Sequence, residues 1–483
     1  MTLRIRVLSG ALAALAVAFQ APSSFAVASS ALAPPAPASA AAATKARVAV
    51  PVPARFRLSS GLEVLLVERH DLPIVALQLV IRTGAVADPP EMAGLASLTA
   101  DLLTEGAGKR TAAEIADTFD FLGATFSSSG DYDKSFLRLD TLEKDFDAGL
   151  EIFADALLRP VFAQEEIDRI REQRLAGLES MLDDANRVLA VAADRATYGT
   201  YPYGRLDGGT TETLGRIGRD DVLGFYSAYY RPDNAFLVVV GDISATEVRA
   251  KLDRALGAWT GKAAAFTPPP PPLPIAGREV RLVDMDVTQS YIQLENLAIR
   301  RNHPDYFPAM LMSYILGGGS VARLYRDIRD AQGLAYGAYS YLQPRFLAGK
   351  LTLELQTKLP STDRALASLL AAMRKMRDAG PTDEEMTMAR DYFTGSFALR
   401  LESNGDLARE ITNTHFYGLG DDYLAGYQQR IRGVTKKQVH EAARRYLDPT
   451  RYSLTIVSKA DEVESRLAQF GRVTRVPRDS LIR

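Results

Sequence analysis

Two spacings of apolar residues alternate along the first half of the chain. Leu62 to Glu68 and Ile74 to Arg82 are short runs of aliphatic and β-branched residues, punctuated by Asp71 and Pro73, and read as strands. From Gly94 to Glu105 the period lengthens. Leu95, Leu98, Leu102 and Leu103 recur three and four residues apart, which predicts a helix. Further helices are predicted over Ala112–Leu122, Leu142–Leu158 and Gln164–Leu182, with an alternating strand pair from Phe126 to Leu139. A helix near Val222–Tyr230 ends at Arg231-Pro232-Asp233-Asn234, and Ala235 to Val240 follows as a buried strand.

The pattern breaks at Thr267 to Pro274, TPPPPPLP. Five consecutive prolines favour an extended polyproline spacer and exclude helix or central strand. The spacer, taken as 263–277, divides the folded sequence into halves at 53–262 and 278–483. The halves carry a weak repeat. The first closes on YYRPDNAFLVVVGD (Tyr229–Asp242) and the second on RYLDPTRYSLTIVS (Arg445–Ser458). In each, a helix ends on an aromatic residue, a proline breaks it and a buried strand follows.

Composition narrows the classes. With 47% hydrophobic and 24% charged residues over 483 positions, the chain can bury a sizeable core. Its net charge of -2 and lack of a basic block argue against nucleic acid as a partner. There is no cysteine, hence no disulfide, thiolate metal site or thiol nucleophile. At the N-terminus, Arg4 and Arg6 precede an uncharged apolar run from Val7 to Phe19 and then small residues. This reads as a secretory signal over 1–26, with cleavage after Ala26 or Ala28, and predicts an exported, periplasmic protein without stable membrane insertion. An uncleaved anchor is the alternative, although the run is short for a membrane span. Residues 27–52 are rich in Ala, Pro and Ser and read as a disordered leader.

The stretch from Asp88 to Gly106, DPPEMAGLASLTADLLTEG, resembles the first helix of the pitrilysin/insulinase peptidase family, which includes the mitochondrial processing peptidases. Active members carry His-x-x-Glu-His there. Two histidines four apart on one helix face share a tetrahedral zinc, and the glutamate takes a proton from the metal-bound water. After the lead Gly94-Leu95-Ala96, this chain has Ser97-Leu98-Thr99-Ala100-Asp101. The resemblance therefore places Ser97 and Asp101 at the histidine positions and Ala100 at that of the general base. The family's third ligand, a glutamate on a later helix, aligns with Gly177, and a supporting glutamate with Ile170; a slip of the alignment would bring Glu179 to the ligand position. His70, His303, His415 and His440 are the only histidines, and no two have metal-ligand spacing within one helix. No metal and no cofactor are expected in this chain.

The second half carries a different motif. Leu316 to Tyr336, LGGGSVARLYRDIRDAQGLAY, resembles the family's glycine loop, helix and strand, in which a substrate-contacting arginine and tyrosine lie seven residues apart. They match Arg329 and Tyr336. An arginine offers a fixed fork of donors and keeps its charge. A phenol, with an ordinary pKa of about 10, stays protonated near neutral pH and can donate to a peptide carbonyl or an oxyanion. The bland alternative is an ion pair of Arg329 with Asp327 or Asp330 and a core position for Tyr336. For Gly317, Gly318 and Gly319 the resemblance implies a mobile substrate-approaching loop. A flexible loop or close backbone packing is the alternative, and no Gly-Lys-Ser/Thr ending supports phosphate binding.

The resemblance implies an α+β fold of two similar halves, each a sheet packed with helices, around a clam-shell-like chamber. It also implies a role as the zinc-lacking subunit of a metallopeptidase. Such a subunit binds extended peptides and supplies Arg329 and Tyr336 in trans to a homologous zinc-bearing partner, as one chain of a heterodimer or larger assembly. The other reading is a peptide-binding or scaffold protein with no hydrolytic role.

Overall fold

The computed structural model describes residues 50–483. The signal read at 1–26 and the leader up to residue 49 lie outside the described residues. The first half contains strands β1 (Ala54–Arg57), β2 (Glu63–Glu68) and β3 (Ile74–Ile81), then helices α1 (Leu95–Asp101) and α2 (Ala112–Leu122). Strands β4 (Thr125–Gly130) and β5 (Ser135–Leu142) follow, with helices α3 (Phe146–Leu158), α4 (Gln164–Met181) and α5 (Ala185–Tyr198). The short α6 (Thr211–Leu214), α7 (Arg219–Tyr229), β6 (Ala235–Gly241) and α8 (Ala245–Leu256) complete it. The second half opens with β7 (Arg278–Asp284), β8 (Gln289–Leu297) and α9 (Tyr306–Gly317), then the hairpin β9 (Ala335–Gln343) and β10 (Lys350–Lys358). Helices α10 (Thr362–Ala379), α11 (Asp383–Gly395), α12 (Asn404–Phe416), α13 (Tyr423–Gly433) and α14 (Lys436–Tyr446) lead to β11 (Tyr452–Ser458), α15 (Ala460–Leu467) and β12 (Arg472–Val476).

Each half builds one six-stranded sheet. The orders are β1-β2-β6-β3-β5-β4 and β12-β7-β11-β8-β10-β9. From the second position onward they match strand for strand. β6 and β11 each lie parallel to one neighbour (β2, β7) and antiparallel to the other (β3, β8). These two central strands are the apolar segments of the sequence repeat, and every residue in both is buried.

The double burial has a specific source. Along β6, Leu237 and Val239 join the core beneath the first half's own helices, whereas Phe236, Val238 and Val240 pack with Leu407, Ala408 and Ile411 of α12. The first sheet is thus covered by a helix from the second half. The reverse also holds: Ala185, Val188, Leu189 and Ala192 of α5 pack on Val283 and Val457 of the second sheet. At about 1.5–3 kcal/mol for each fully buried aliphatic or aromatic side chain, these exchanged helices join the halves strongly.

The predicted elements shift in two places. The helix read from Gly94 to Glu105 is α-helical only to Asp101 and tightens into a 3-10 turn over Leu102–Thr104. Leu142 ends β5 rather than opening α3, because Glu143–Asp145 forms an intervening 3-10 turn. The segment between α8 and β7 contains neither helix nor strand. Within it, partial burial recurs every third residue, at Ala263, Phe266, Pro269, Pro272 and Ile275. That is the period of a polyproline II helix lying along a surface.

Candidate functional site

Helix α1 is held at its start by a buried carboxylate. Asp88 accepts hydrogen bonds from the Gly94 and Ala96 amides, each at 2.9 Å. Burial pushes its pKa up to about 7, although the two amides and the nearby Arg205 and Arg174 pull the other way. Gly94 has φ 98°, and a Cβ there would lie 2.8 Å from the Gly208 carbonyl oxygen. Only glycine allows the helix to start this close to the 207–209 loop.

Ser97 and Asp101 share the face of α1 that meets α4, and Arg174 of α4 stands between them. Its Nη2 donates to Asp101 Oδ2 at 2.6 Å. Its Nη1 donates to Ser97 Oγ at 3.0 Å, to the Gly208 carbonyl at 3.1 Å and to the Gly94 carbonyl at 3.4 Å. The Ser97 hydroxyl donates onward to the Asp207 carbonyl at 2.8 Å. Arg174 is 5% exposed, and burial raises the Asp101 pKa against the opposing pull of Arg174.

These residues do not fit zinc. A tetrahedral site takes imidazole, thiolate or carboxylate ligands. The cradle offers one hydroxyl and one carboxylate, both bonded to a fixed positive charge. Gly177, one turn beyond Arg174, brings no donor atom, and a Cβ there would meet open space. Ile170 is buried in the first-half core, and Glu179 is exposed. Ala100 is wholly buried and provides no base.

Sequence reasoning missed Arg174, yet the signal was in the pattern. Ile167, Ile170, Arg174, Leu178 and Met181 form the buried stripe of α4, so a charge interrupts an apolar helix face.

The histidines serve local contacts. His70 is exposed and bonds Asp242 at 2.6 Å. His303 Nδ1 accepts from the Asp305 amide, and His440 Nε2 lies 2.9 Å from the Arg377 carbonyl. His415, on α12, sits against the Phe236 ring and within 2.9 Å of Arg82 and 3.3 Å of Glu63. Among the described residues no group of three or more His, Asp or Glu is placed to hold a metal ion.

The second-half motif is built for exposure. Arg323 makes a two-pronged ion pair with Glu385 at 2.7 Å and anchors the segment to α11. Tyr325–Asp330 forms a π-helical turn. It ends where the Gly333 amide donates to the Arg329 carbonyl and the Leu334 amide to the Ile328 carbonyl, each at 2.9 Å, with Gly333 at φ 61°. Strand β9 then begins with a bulge: Ala335 pairs with Thr357 and Gly337 with Gln356, leaving Tyr336 as the extra residue. A bulge re-aims a side chain, and Tyr336 is 80% exposed.

The structure brings Arg329 and Tyr336 together. The Arg329 guanidinium lies 4.5 Å from the Tyr325 ring centre and 5.4 Å from that of Tyr336. Among the described residues it has no ion pair, and Tyr336 is outside the core, so the bland alternative fails on both counts. The glycines divide. A Cβ at Gly317 would lie 2.3 Å from the Ser340 amide nitrogen, and one at Gly318 2.3 Å from the Tyr314 ring, while Gly319 faces open space. Close packing of α9 on β9 accounts for the first, and the Tyr314 side chain one turn back on α9 for the second.

Comparison with known proteins agrees with both halves. Residues 63–206 match the profile described as Insulinase (Peptidase family M16), and residues 216–393 that of the Peptidase M16 inactive domain. The chain is 23% identical over 412 residues to an uncharacterized zinc protease, YmxG, of Bacillus subtilis, covering 85% of this chain and 99% of that one. It is 22% identical over 401 residues to the non-peptidase homolog YmxG of Helicobacter pylori, covering 83% and 92%. The crystal structure of a peptidase M16 inactive domain from Pseudomonas fluorescens superposes with a TM-score of 0.78 at 26% identity, covering 88% and 99%. Relatives named as protease and as non-peptidase are about equally distant, so the site residues must decide between them.

Proposed function

The chain belongs to the insulinase family, peptidase family M16, and on that premise we propose that it is an inactive member that works as the non-catalytic subunit of a two-chain zinc peptidase. It binds peptides in extended form and presents Arg329 and Tyr336 to the scissile region, while a homologous partner carries the zinc and activates water. The observation that carries this reading is the bulge that holds Tyr336 80% exposed beside Arg329, which has no ion pair among the described residues. A phenol and a guanidinium fork together can hold a peptide carbonyl and donate to a developing oxyanion. On the first-half side, Arg174 bridges Ser97 and Asp101, the two positions that the resemblance assigns to metal-binding histidines. The N-terminal signal supports export, which would place the assembly in the periplasm.

The test uses the purified chain alone and mixed with a family member bearing His-x-x-Glu-His from the same cell. The chain alone should hydrolyse no peptide, and the mixture should be active. Tyr336→Phe keeps the ring over Arg329 and removes only the hydroxyl. A lost oxyanion donor costs about 100-fold or more in kcat. Unchanged turnover would refute the trans role and leave capture of peptides without hydrolysis as the function.

A further inference from the structure

We propose that Arg174 is the resident cation of the degenerate metal site. Its guanidinium fastens α1 to α4 and to the 207–209 loop, and it bars a divalent ion even where ligands are supplied. The inference concerns the first half alone and stands whether or not Arg329 and Tyr336 act in trans.

Three observations converge. First, the acceptors around Arg174 come from two separate pieces of chain: Gly94, Ser97 and Asp101 on or beside α1, and Gly208 in the loop. A metal bridging two helices performs the same tying, and here a side chain of α4 performs it from within. Second, the cation is nearly enclosed. Arg174 is 5% exposed, and Asp101, its one carboxylate partner, is mostly buried. Its charge also acts on Asp88 and Asp207, both of whose pKa values are lowered by it against the stronger effect of burial. Removing it would leave Asp101 without its ion partner, while Asp88 and Asp207 would keep Arg205 and Arg345. Third, the geometry is exclusive. Nη1 and Nη2 stand 3.0 Å from Ser97 Oγ and 2.6 Å from Asp101 Oδ2. A zinc bound by side chains at these two positions, at about 2.0–2.2 Å from its ligand atoms, would have to enter the same volume beside a like charge.

The site has therefore passed a point from which restoring ligands does not restore the metal. The test compares two variants. One carries Ser97→His, Ala100→Glu, Asp101→His and Gly177→Glu with Arg174 kept; the other adds Arg174→Ala. Each is purified, loaded with zinc chloride, desalted, and measured for zinc per chain by plasma mass spectrometry. The first should hold clearly less than one zinc per chain, and the second one zinc per chain with a zinc-dependent rise in its thermal midpoint. Stoichiometric zinc in the first variant overturns the proposal, as does a second variant that folds but holds no zinc. Because either multiple variant could fail to fold, Arg174→Met and Arg174→Lys are made in the otherwise native chain and followed by hydrogen exchange. Exchange across residues 94–101 and 171–181 should quicken tenfold or more in Arg174→Met and by less in Arg174→Lys. Native-like exchange in Arg174→Met overturns the fastening role.

Discussion

Lys350→Met should destabilise the seam between the halves by breaking a buried ion pair. Lys350 opens β10 and is 4% exposed. Its Nζ lies 2.5 Å from Glu295 Oε1 on β8 and 2.5 Å from Asp194 Oδ1 on α5, the helix that the first half lends to the second sheet. Burial lowers the Lys350 pKa, but the two carboxylates outweigh it and hold the ammonium charged. Glu295 has no exposure and also accepts from the Thr197 and Thr352 hydroxyls. Methionine fills a similar volume, so little cavity forms, and the cost is almost wholly the uncompensated charge. Removing one partner of a buried pair costs about 3–5 kcal/mol. Asp194 retains Arg345 at 3.5 Å and some exposure, which places the expected loss at the lower end. Urea unfolding at pH 7 should show it as a reduced midpoint with an unchanged slope. The double variant Lys350→Met, Glu295→Gln should recover part of the loss. A single variant within about 1 kcal/mol of native at pH 7, comparable to a surface pair, would refute the reasoning.

Two further outcomes are expected. Asp88 has its folded pKa raised to about 7 from 3.8, so between those values the folded state binds more proton than the unfolded state and stability falls as pH rises; Asp88→Asn should flatten that part of the stability–pH profile. Tyr325→Leu should loosen Arg329, which stands 4.5 Å above the ring, while Tyr325→Phe preserves the contact. Such contacts are worth about 0.5–1 kcal/mol at exposed sites, so peptide affinity measured by fluorescence anisotropy should fall a few-fold in the leucine variant only.

Much of the architecture was legible because its signals are local. The strands from Leu62 and Ile74 and the run at Ala235 are dense in aliphatic residues, and their burial demands a sheet. The sheet order was not legible, since β6 enters between β2 and β3 across more than a hundred intervening residues. Helix α5 escaped for another reason. Its contact face is Ala185, Val188, Leu189 and Ala192, a weak stripe in an alanine-rich segment whose partner surface belongs to the other half. At the first-half site, the resemblance that begins at Gly94-Leu95-Ala96 assigns the ligand positions, but it gives no sign of what lies between them. Nothing in the residues Ser97 and Asp101 announces an arginine 73 residues downstream, and only the charge on the apolar face of α4 hinted at it. The exposure of Tyr336 depends on one bulge, which is a matter of register between β9 and β10 and leaves no trace in composition.

The two sites differ in what they have left to bind. In the first half nearly every polar group is answered from within: the Arg174 fork by four oxygens, the Ser97 hydroxyl by a carbonyl, the Asp88 carboxylate by two amides. A site so satisfied gains little from any ligand, since each new contact must first break an existing one. In the second half the order is reversed. A π-turn and a bulge, neither of them regular structure, combine with a left-handed glycine to hold a tyrosine 80% exposed beside an arginine that has no ion partner among the described residues. Exposing a large ring forgoes the burial that would stabilise it, whereas Ile328, Leu334 and Ala335 of the same segment are buried in the core and hold it in place. Unmet hydrogen-bonding capacity on a rigid support is what a binding site needs. The physical argument for function therefore rests on Arg329 and Tyr336.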